Sequence, residues 1–153
     1  NSSFDSWWKD DKVWNIGAAV DVLEDLNVRI DYLKSNMDSI YSRSGHQNVI
    51  FDGDDGIIIG LSYKGAKASV PGSYGIYANY YNQSKGTIIA HTMNGFYAYT
   101  GFEGYMVGAN YALAKNVVAA IEWYDLKEKS SIGAEVYPEV DVETLWAQVV
   151  YTF

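Results

Sequence analysis

The sequence predicts an all-β fold, an antiparallel up-and-down transmembrane β-barrel, on three observations. Seven segments of about ten residues alternate between apolar and polar side chains, which is the period of a β-strand. Short turns join the segments at one end and long connections join them at the other. Aromatic side chains concentrate near the segment ends. The segments run over residues 12–23, 26–36, 56–64, 73–82, 102–113, 116–127 and 142–153.

The composition of the 153-residue chain excludes several classes of protein. The formal net charge is −8, and the chain has 14 tyrosines, 5 tryptophans and no cysteine. This aromatic content argues against disorder, and the lack of cysteine excludes disulfide scaffolds and cysteine-ligated metal centres. The acidic balance argues against nucleic acid as a partner. No apolar run reaches the roughly 20 residues that a transmembrane helix requires.

The alternation divides each segment into an apolar and a polar face. In the second segment, for example, Val28 and Ile30 share one face, whereas Asn27, Arg29 and Asp31 share the other. Large apolar side chains can point inward in a soluble sheet or outward toward lipid in a membrane barrel. The alternation alone therefore leaves a soluble barrel or sandwich open.

The lengths of the connections favour the membrane barrel. The predicted turns Glu24-Asp25 and Ala114-Lys115 are short, and residues 65–72 form a link of moderate length. Loops longer than about 12–15 residues are uncommon in compact soluble domains, and three of them fall at one end of the predicted sheet. These long connections are Met37–Asp55, Gln83–Gly101 and Glu128–Asp141.

Tyrosine and tryptophan near the segment ends predict an aromatic girdle. Each of these side chains has an apolar body and a polar tip, so both favour the interface between membrane and water. The girdle candidates on the apolar face are Trp14, Tyr63, Tyr74, Tyr80, Tyr105, Tyr111 and Trp123.

The last segment resembles the C-terminal strand of bacterial outer-membrane barrels, which the barrel-assembly machinery reads. That strand ends in Phe, with an aromatic residue two positions earlier and apolar residues at alternate positions upstream. The matching residues here are Leu145, Val149, Tyr151 and Phe153.

Two further stretches, residues 14–32 and 107–127, resemble porins. They are similar to the end of porins from diderm Firmicutes (Negativicutes), whose N-terminal S-layer-homology domain tethers the outer membrane to the cell wall. Tethering is not implied for this chain, because the resemblance covers the barrel alone. The resemblance implies a bacterial outer-membrane porin of about 16 strands that admits small hydrophilic solutes and ions by passive diffusion. It also implies a homotrimer that contacts lipid and lipopolysaccharide and requires no cofactor.

The number of strands raises a second question. Bacterial single-chain barrels have an even number of strands, and placing Phe153 in the periplasm makes the first segment begin outside the cell. We therefore expect the chain to be the C-terminal part of a larger barrel, with Asn1–Asp11 as an extracellular loop. The alternative takes Ser3–Lys9 as an eighth strand of a complete small barrel with a structural or adhesion role. A third hypothesis is a soluble β-domain with a ligand cavity.

Charged residues on the polar face are candidates for lining a pore. A charge on the lipid side of a barrel is costly, so these side chains should point into water or pair across strands. They could set ion selectivity, form an ion-pair ladder in the wall, or do both. The net charge of −8 suggests a mild preference for cations. The candidates are Asp21, Arg29, Asp31, Lys64 and Glu122.

Catalytic and metal sites find little support. His46 and His91 fall in predicted loops without a catalytic motif around them, so we expect no enzyme activity. Asp52, Asp54 and Asp55 are a weak candidate for Ca²⁺, but their spacing is incomplete for a calcium-binding loop. We therefore expect a solvated acidic loop and no bound metal.

Overall fold

Ten strands and one short helix make up the computed structural model, which describes residues 12–36, 39–44, 47–88, 101–129, 132–133 and 140–153. The helix is a 3₁₀ turn at Lys85–Thr87. The strands are β1 (Val13–Leu23), β2 (Leu26–Ser35), β3 (Ser39–Ser44), β4 (Gln47–Asp52), β5 (Asp55–Lys64), β6 (Tyr74–Ser84), β7 (Gly101–Ala114), β8 (Val117–Glu128), β9 (Ile132–Gly133) and β10 (Asp141–Tyr151).

Seven of these strands form one antiparallel up-and-down sheet in the order β1-β2-β5-β6-β7-β8-β10. They lie within two residues of the seven alternating segments, so the predicted strands and their antiparallel arrangement are confirmed. The sheet is not closed, since β1 and β10 form its two edges. Within the described ranges no helix is long and apolar enough to cross a membrane. The predicted loop Asn1–Asp11 and the alternative strand Ser3–Lys9 lie outside the described residues.

Two tight turns hold neighbouring strands in register, and they define the turn end of the sheet. The β1–β2 turn is Glu24-Asp25, as expected, whereas the β7–β8 turn is Lys115-Asn116, one residue later than predicted. Asp25 and Asn116 have φ angles of 66° and 65°. Two-residue hairpin turns favour such left-handed residues, because their twist matches that of the flanking strands.

The two faces of the sheet differ sharply in exposure. Trp14, Ile16 and Val149 are 74%, 73% and 66% exposed, whereas Phe102 and Leu126 on the opposite face are each 1% exposed. Most of the exposed large apolar side chains follow the predicted apolar parity, and we call that surface the apolar face. Trp146 and Val150 on the edge strand β10 are exposed on the other parity. The opposite surface is the concave face.

A smaller sheet lies within stretches that the sequence analysis assigned to loops. Strands β3 and β4 pair antiparallel, and β9 adds to β4. The expectation that Met37–Asp55 and Glu128–Asp141 are loops throughout is therefore wrong. The β-branched and aromatic run Val49-Ile50-Phe51 was the available signal, but each strand is too short for its alternation to stand out.

Residues 65–73, which link β5 to β6, cross the turn end of the sheet as a strap. The Gly72 amide donates to the Ala112 carbonyl at 2.8 Å, and the Asn116 amide donates to the Ala68 carbonyl at 2.7 Å. The Asn116 carbonyl also accepts from the Thr152 amide at 2.9 Å. The β7–β8 turn therefore joins the strap to the end of the last strand.

Asn116 provides a test of this turn. Replacing it with Val should lower the free energy of unfolding by about 1–2 kcal/mol, because a β-branched residue disfavours a positive φ. Replacing it with Gly, which adopts this φ freely, should leave stability nearly unchanged. Chemical denaturation of both variants measures the difference. Equal loss of stability in the two variants would show that φ is not what position 116 requires.

Candidate functional site

The concave face carries the polar and charged side chains of the sheet, and it is the candidate functional site. Its strands curve around the 3₁₀ turn, which contacts β2, β5 and β7. Because β5 and β6 lie between β2 and β7, the approach of one three-residue segment to all three strands indicates that the sheet curves around it. The groups on this face are therefore brought toward a common interior.

An ion pair lies midway along β2, on the concave face next to the edge strand β1. Arg29 Nε lies 2.5 Å from Asp31 Oδ2, and Arg29 Nη2 donates to Asp31 Oδ1 at 3.0 Å. The Arg29 side chain is 63% exposed, but that of Asp31 is only 8% exposed. Gly17 on β1 pairs with Asp31, whose carboxylate occupies the space that a Cβ at position 17 would need. The pair therefore presents its cationic member to the interior.

Asp21 lies nearer the turn end of the same face. Its carboxylate accepts a hydrogen bond of 2.9 Å from Asn27 Nδ2, and both side chains are exposed. A cleft of about 640 Å³ opens here between the β1–β2 turn and the strap. Ser62 and Lys67 also line it, so a solute or water at this end meets groups of both charges.

Glu122 on β8 is held by two tyrosines. Tyr77 donates to Oε1 at 2.8 Å, and Tyr124 donates to Oε2 at 2.6 Å. Tyr77 comes from β6 and reaches Glu122 across β7, because Gly108 leaves room: a Cβ there would come within 2.5 Å of the Tyr77 ring. Both carboxylate oxygens thus have phenol donors, which satisfies the charge and fixes its position in the wall.

A hydrophobic cluster covers another part of the concave face. Phe102, Met106, Tyr124 and Leu126 are buried there, and Ile88 packs against them. Ile88 directly follows the 3₁₀ turn, so the chain after β6 folds inward and fills part of the hollow.

Hydrogen bonds anchor this inward segment to the sheet. Thr87 is fully buried, and its hydroxyl donates to the Ser84 carbonyl at 3.0 Å. The Ser84 hydroxyl donates to the Asp55 carbonyl at 2.6 Å. The inward segment is therefore attached to the end of β6, which is itself bonded to β5.

All five predicted pore-lining residues occupy positions of the concave parity. Lys64, at the end of β5, lines the cleft beside Asp21 and also reaches the apolar face. Its φ of 56° departs from the extended strand, so alternation no longer determines the direction of its side chain. The Lys64 ammonium lies 5.4 Å from the ring centre of Tyr63 and 5.1 Å from that of Tyr74. Both rings are exposed on the apolar face, so Lys64 makes cation–π contacts at the rim there.

Of the weak calcium candidate, the side chain of Asp52 lies outside the described part of the structure. Asp54 forms an ion pair with Lys34 at 2.6 Å, and Asp55 begins β5. Over the described ranges, no group of three acidic or histidine side chains is close enough together to hold a metal ion.

The girdle and C-terminal candidates all lie on the apolar parity. Six of the seven girdle residues are exposed there, and Trp123 lies edge-on to Tyr105 with ring centres 5.6 Å apart. The four matching residues of the last segment are also exposed, and the rings of Tyr151 and Phe153 are 6.3 Å apart.

The sequence analysis did not single out the tyrosines of the concave face. Tyr77, Tyr81 and Tyr124 were detectable as large side chains on the otherwise small and polar parity. Tyr81 accepts from Asn79 Nδ2 at 3.0 Å. The inward fold of the chain after β6 had no such local signal, because it depends on contacts with distant strands.

The chain matches no protein-family model, and no curated protein sequence matches it.

The contact between Tyr77 and Glu122 gives a test of the concave wall. Tyr77→Phe should lower the free energy of unfolding by about 1–3 kcal/mol, because it removes a hydrogen bond to a charged, half-buried group. Tyr80→Phe, on the apolar face of the same strand, is the matched control and should change stability by less than about 0.5 kcal/mol. Chemical denaturation compares the two. Equal effects would mean that Tyr77 does not support Glu122.

Proposed function

We propose that the protein forms part of a bacterial outer-membrane porin, which lets small hydrophilic solutes and ions diffuse passively. The observation that carries this proposal is the division of one sheet into an exposed apolar face and a charged concave face. A soluble sheet buries its apolar face, whereas a membrane barrel turns that face toward lipid and its polar face toward water. The proposed assembly is a homotrimer in contact with lipid and lipopolysaccharide, built by the barrel-assembly machinery.

The edge strands support a barrel with more strands. Both β1 and β10 leave one edge unpaired within the seven-stranded sheet, and lipid does not tolerate unpaired backbone groups. Further strands between these edges would satisfy the edges and widen the interior. The inward segment would then narrow the passage where it lies against β2, β5 and β7.

The acids on the concave face favour cations. Asp21, Asp31 and Glu122 lie on its strands with the base Arg29, and Lys64 and Lys67 add positive charge in the cleft beside Asp21. Because Arg29 and Asp31 neutralise each other as a pair, Asp21 and Glu122 supply the negative charge of this part of the wall.

A second candidate is a complete small barrel with a structural or adhesion role through its long connections. The buried cluster around Phe102 and Leu126 favours it, since the interior of an eight-stranded barrel is largely filled by side chains. Such a barrel would insert in membranes but conduct poorly.

Conductance measurements separate these two functions. The 153-residue chain, and the larger barrel proposed above, should each be purified, folded and added to a planar lipid bilayer. Stepwise conductance is expected from the porin. A folded, inserted barrel that produces no conductance steps would contradict the porin and favour the small structural barrel.

Ion selectivity provides a residue-level test. Asp21→Asn retains an acceptor for Asn27 but removes one negative charge from the concave face. The ratio of cation to anion permeability should fall by about twofold, the effect expected for one charge roughly 10 Å from the ions in water. Reversal potentials in a salt gradient measure the ratio. Glu24→Gln, in the β1–β2 turn, is the control and should change it less.

A further inference from the structure

We infer that the apolar face is a lipid-contacting belt whose two polar borders cross the strands obliquely, so that the strands tilt by about 35° from the membrane normal. The inference rests on the proposed membrane location. It adds the identity of the partner surface, the hydrocarbon layer of a bilayer, and the depth of each residue in that layer.

The border at the end opposite the turns is a staircase. On each strand, the apolar series of the exposed face ends where the next residue of the same parity is polar. The last apolar residues, from β1 to β10, are Trp14, Tyr32, Ile57, Tyr80, Tyr105, Trp123 and Leu145. The polar residues that follow them are Lys12, Lys34, Asp55, Asn82, Glu103, Asp125 and Glu143.

The strand register gives the height of each step. Three cross-strand pairs join an apolar residue to a polar one: Trp14 with Lys34, Ile57 with Asn82, and Tyr105 with Asp125. The other three steps are level: Tyr32 with Ile57, Tyr80 with Tyr105, and Trp123 with Leu145. From β1 to β10, the border therefore moves toward the turn end by two residues at every second strand. This is an average of one residue per strand.

The border at the turn end moves in the same direction. It is level from Leu26 to Tyr63, which pair directly. Tyr63 then pairs with Ile76, so Tyr74 extends the apolar series one step further on β6. Tyr74 pairs with Tyr111, and Leu113 extends it again on β7. Each strand thus carries four or five apolar side chains on this face, while the whole band shifts along the sheet.

The size of the shift gives the tilt. One residue per strand is about 3.3 Å along the strand for about 4.8 Å across it, which corresponds to about 35°. Four or five alternate residues span about 23–30 Å along a strand, or about 19–25 Å along the membrane normal at this tilt. That height is close to the apolar band of about 25 Å in outer-membrane barrels.

A hydrocarbon layer is the occupant that these borders fit. Two parallel borders that run across all seven strands match a slab with two flat surfaces. A second copy of the chain would cover a local patch, and its edge would not need to follow both borders.

Site-directed labelling tests the belt. The chain has no cysteine, so a nitroxide can be attached at one introduced cysteine in each of Ala18→Cys, Val149→Cys and Glu143→Cys. Ala18 and Glu143 lie in one cross-strand row, whereas Val149 is six residues from Glu143 on β10. The full-length variants are reconstituted in phosphatidylcholine vesicles. Accessibility to oxygen and to a water-soluble nickel complex then gives the depth of each label.

The belt predicts that Ala18 and Val149 lie at equal depth near the bilayer centre, with Glu143 about 16 Å nearer the surface. Equal depths for Ala18 and Glu143 would overturn the tilt. Low accessibility to both reagents at Ala18 and Val149 would show a protein interface and overturn the lipid belt.

Conductance is an independent readout in the same preparations. A protein with the expected depths and no conductance retains the belt and defeats the porin. A protein that conducts but whose labels lie at other depths supports the porin and overturns the belt.

Discussion

The in-register antiparallel ladder is the constraint on which the rest of this structure depends. Successive side chains of a strand point to opposite faces, so a slip of one residue would exchange the two faces of a strand. Within the seven-stranded sheet, each strand keeps its apolar residues beside those of its neighbours. Turns with left-handed residues at Asp25 and Asn116 support this register at one end. The charged interior, the exposed apolar surface and the oblique borders all follow from it.

The concave face shows how a polar wall can also contain a packed core. Small residues, such as Gly17 and Gly108, let longer side chains lie flat across the neighbouring strand. Tyr77 thereby reaches Glu122 across β7, whereas Asp31 lies over Gly17 and pairs with Arg29 of its own strand. The inward segment covers Phe102 and Leu126, which would otherwise face the interior. The concave face therefore has a charged part and an apolar part, which lie at different places on the same side of the sheet.

Alternation was sufficient to predict the seven long strands within two residues of their ends, because the period of two is a local property of the chain. It also placed Asp21, Arg29, Asp31 and Glu122 on one face. It could not show that Lys64, whose φ is positive, contacts the rings of Tyr63 and Tyr74 as well as lining the cleft beside Asp21. It missed β3, β4 and β9, which are short, and β9 also depends on pairing with the distant β4. Nor could it identify Tyr77 as the partner of Glu122, since that contact crosses an intervening strand and requires a glycine there.

The hydrogen bonds at Asn116 have a consequence for the order of assembly. Its amide binds Ala68 in the strap and its carbonyl binds Thr152 at the chain end, segments that precede and follow it by tens of residues. Both bonds can coexist only when the strap, the β7–β8 turn and the end of β10 have come together. The amide and carbonyl of Asn116 are thus both hydrogen-bonded only when these three segments are in place. Such long-range closure makes the last steps of folding cooperative, because loss of either segment leaves the turn incompletely bonded.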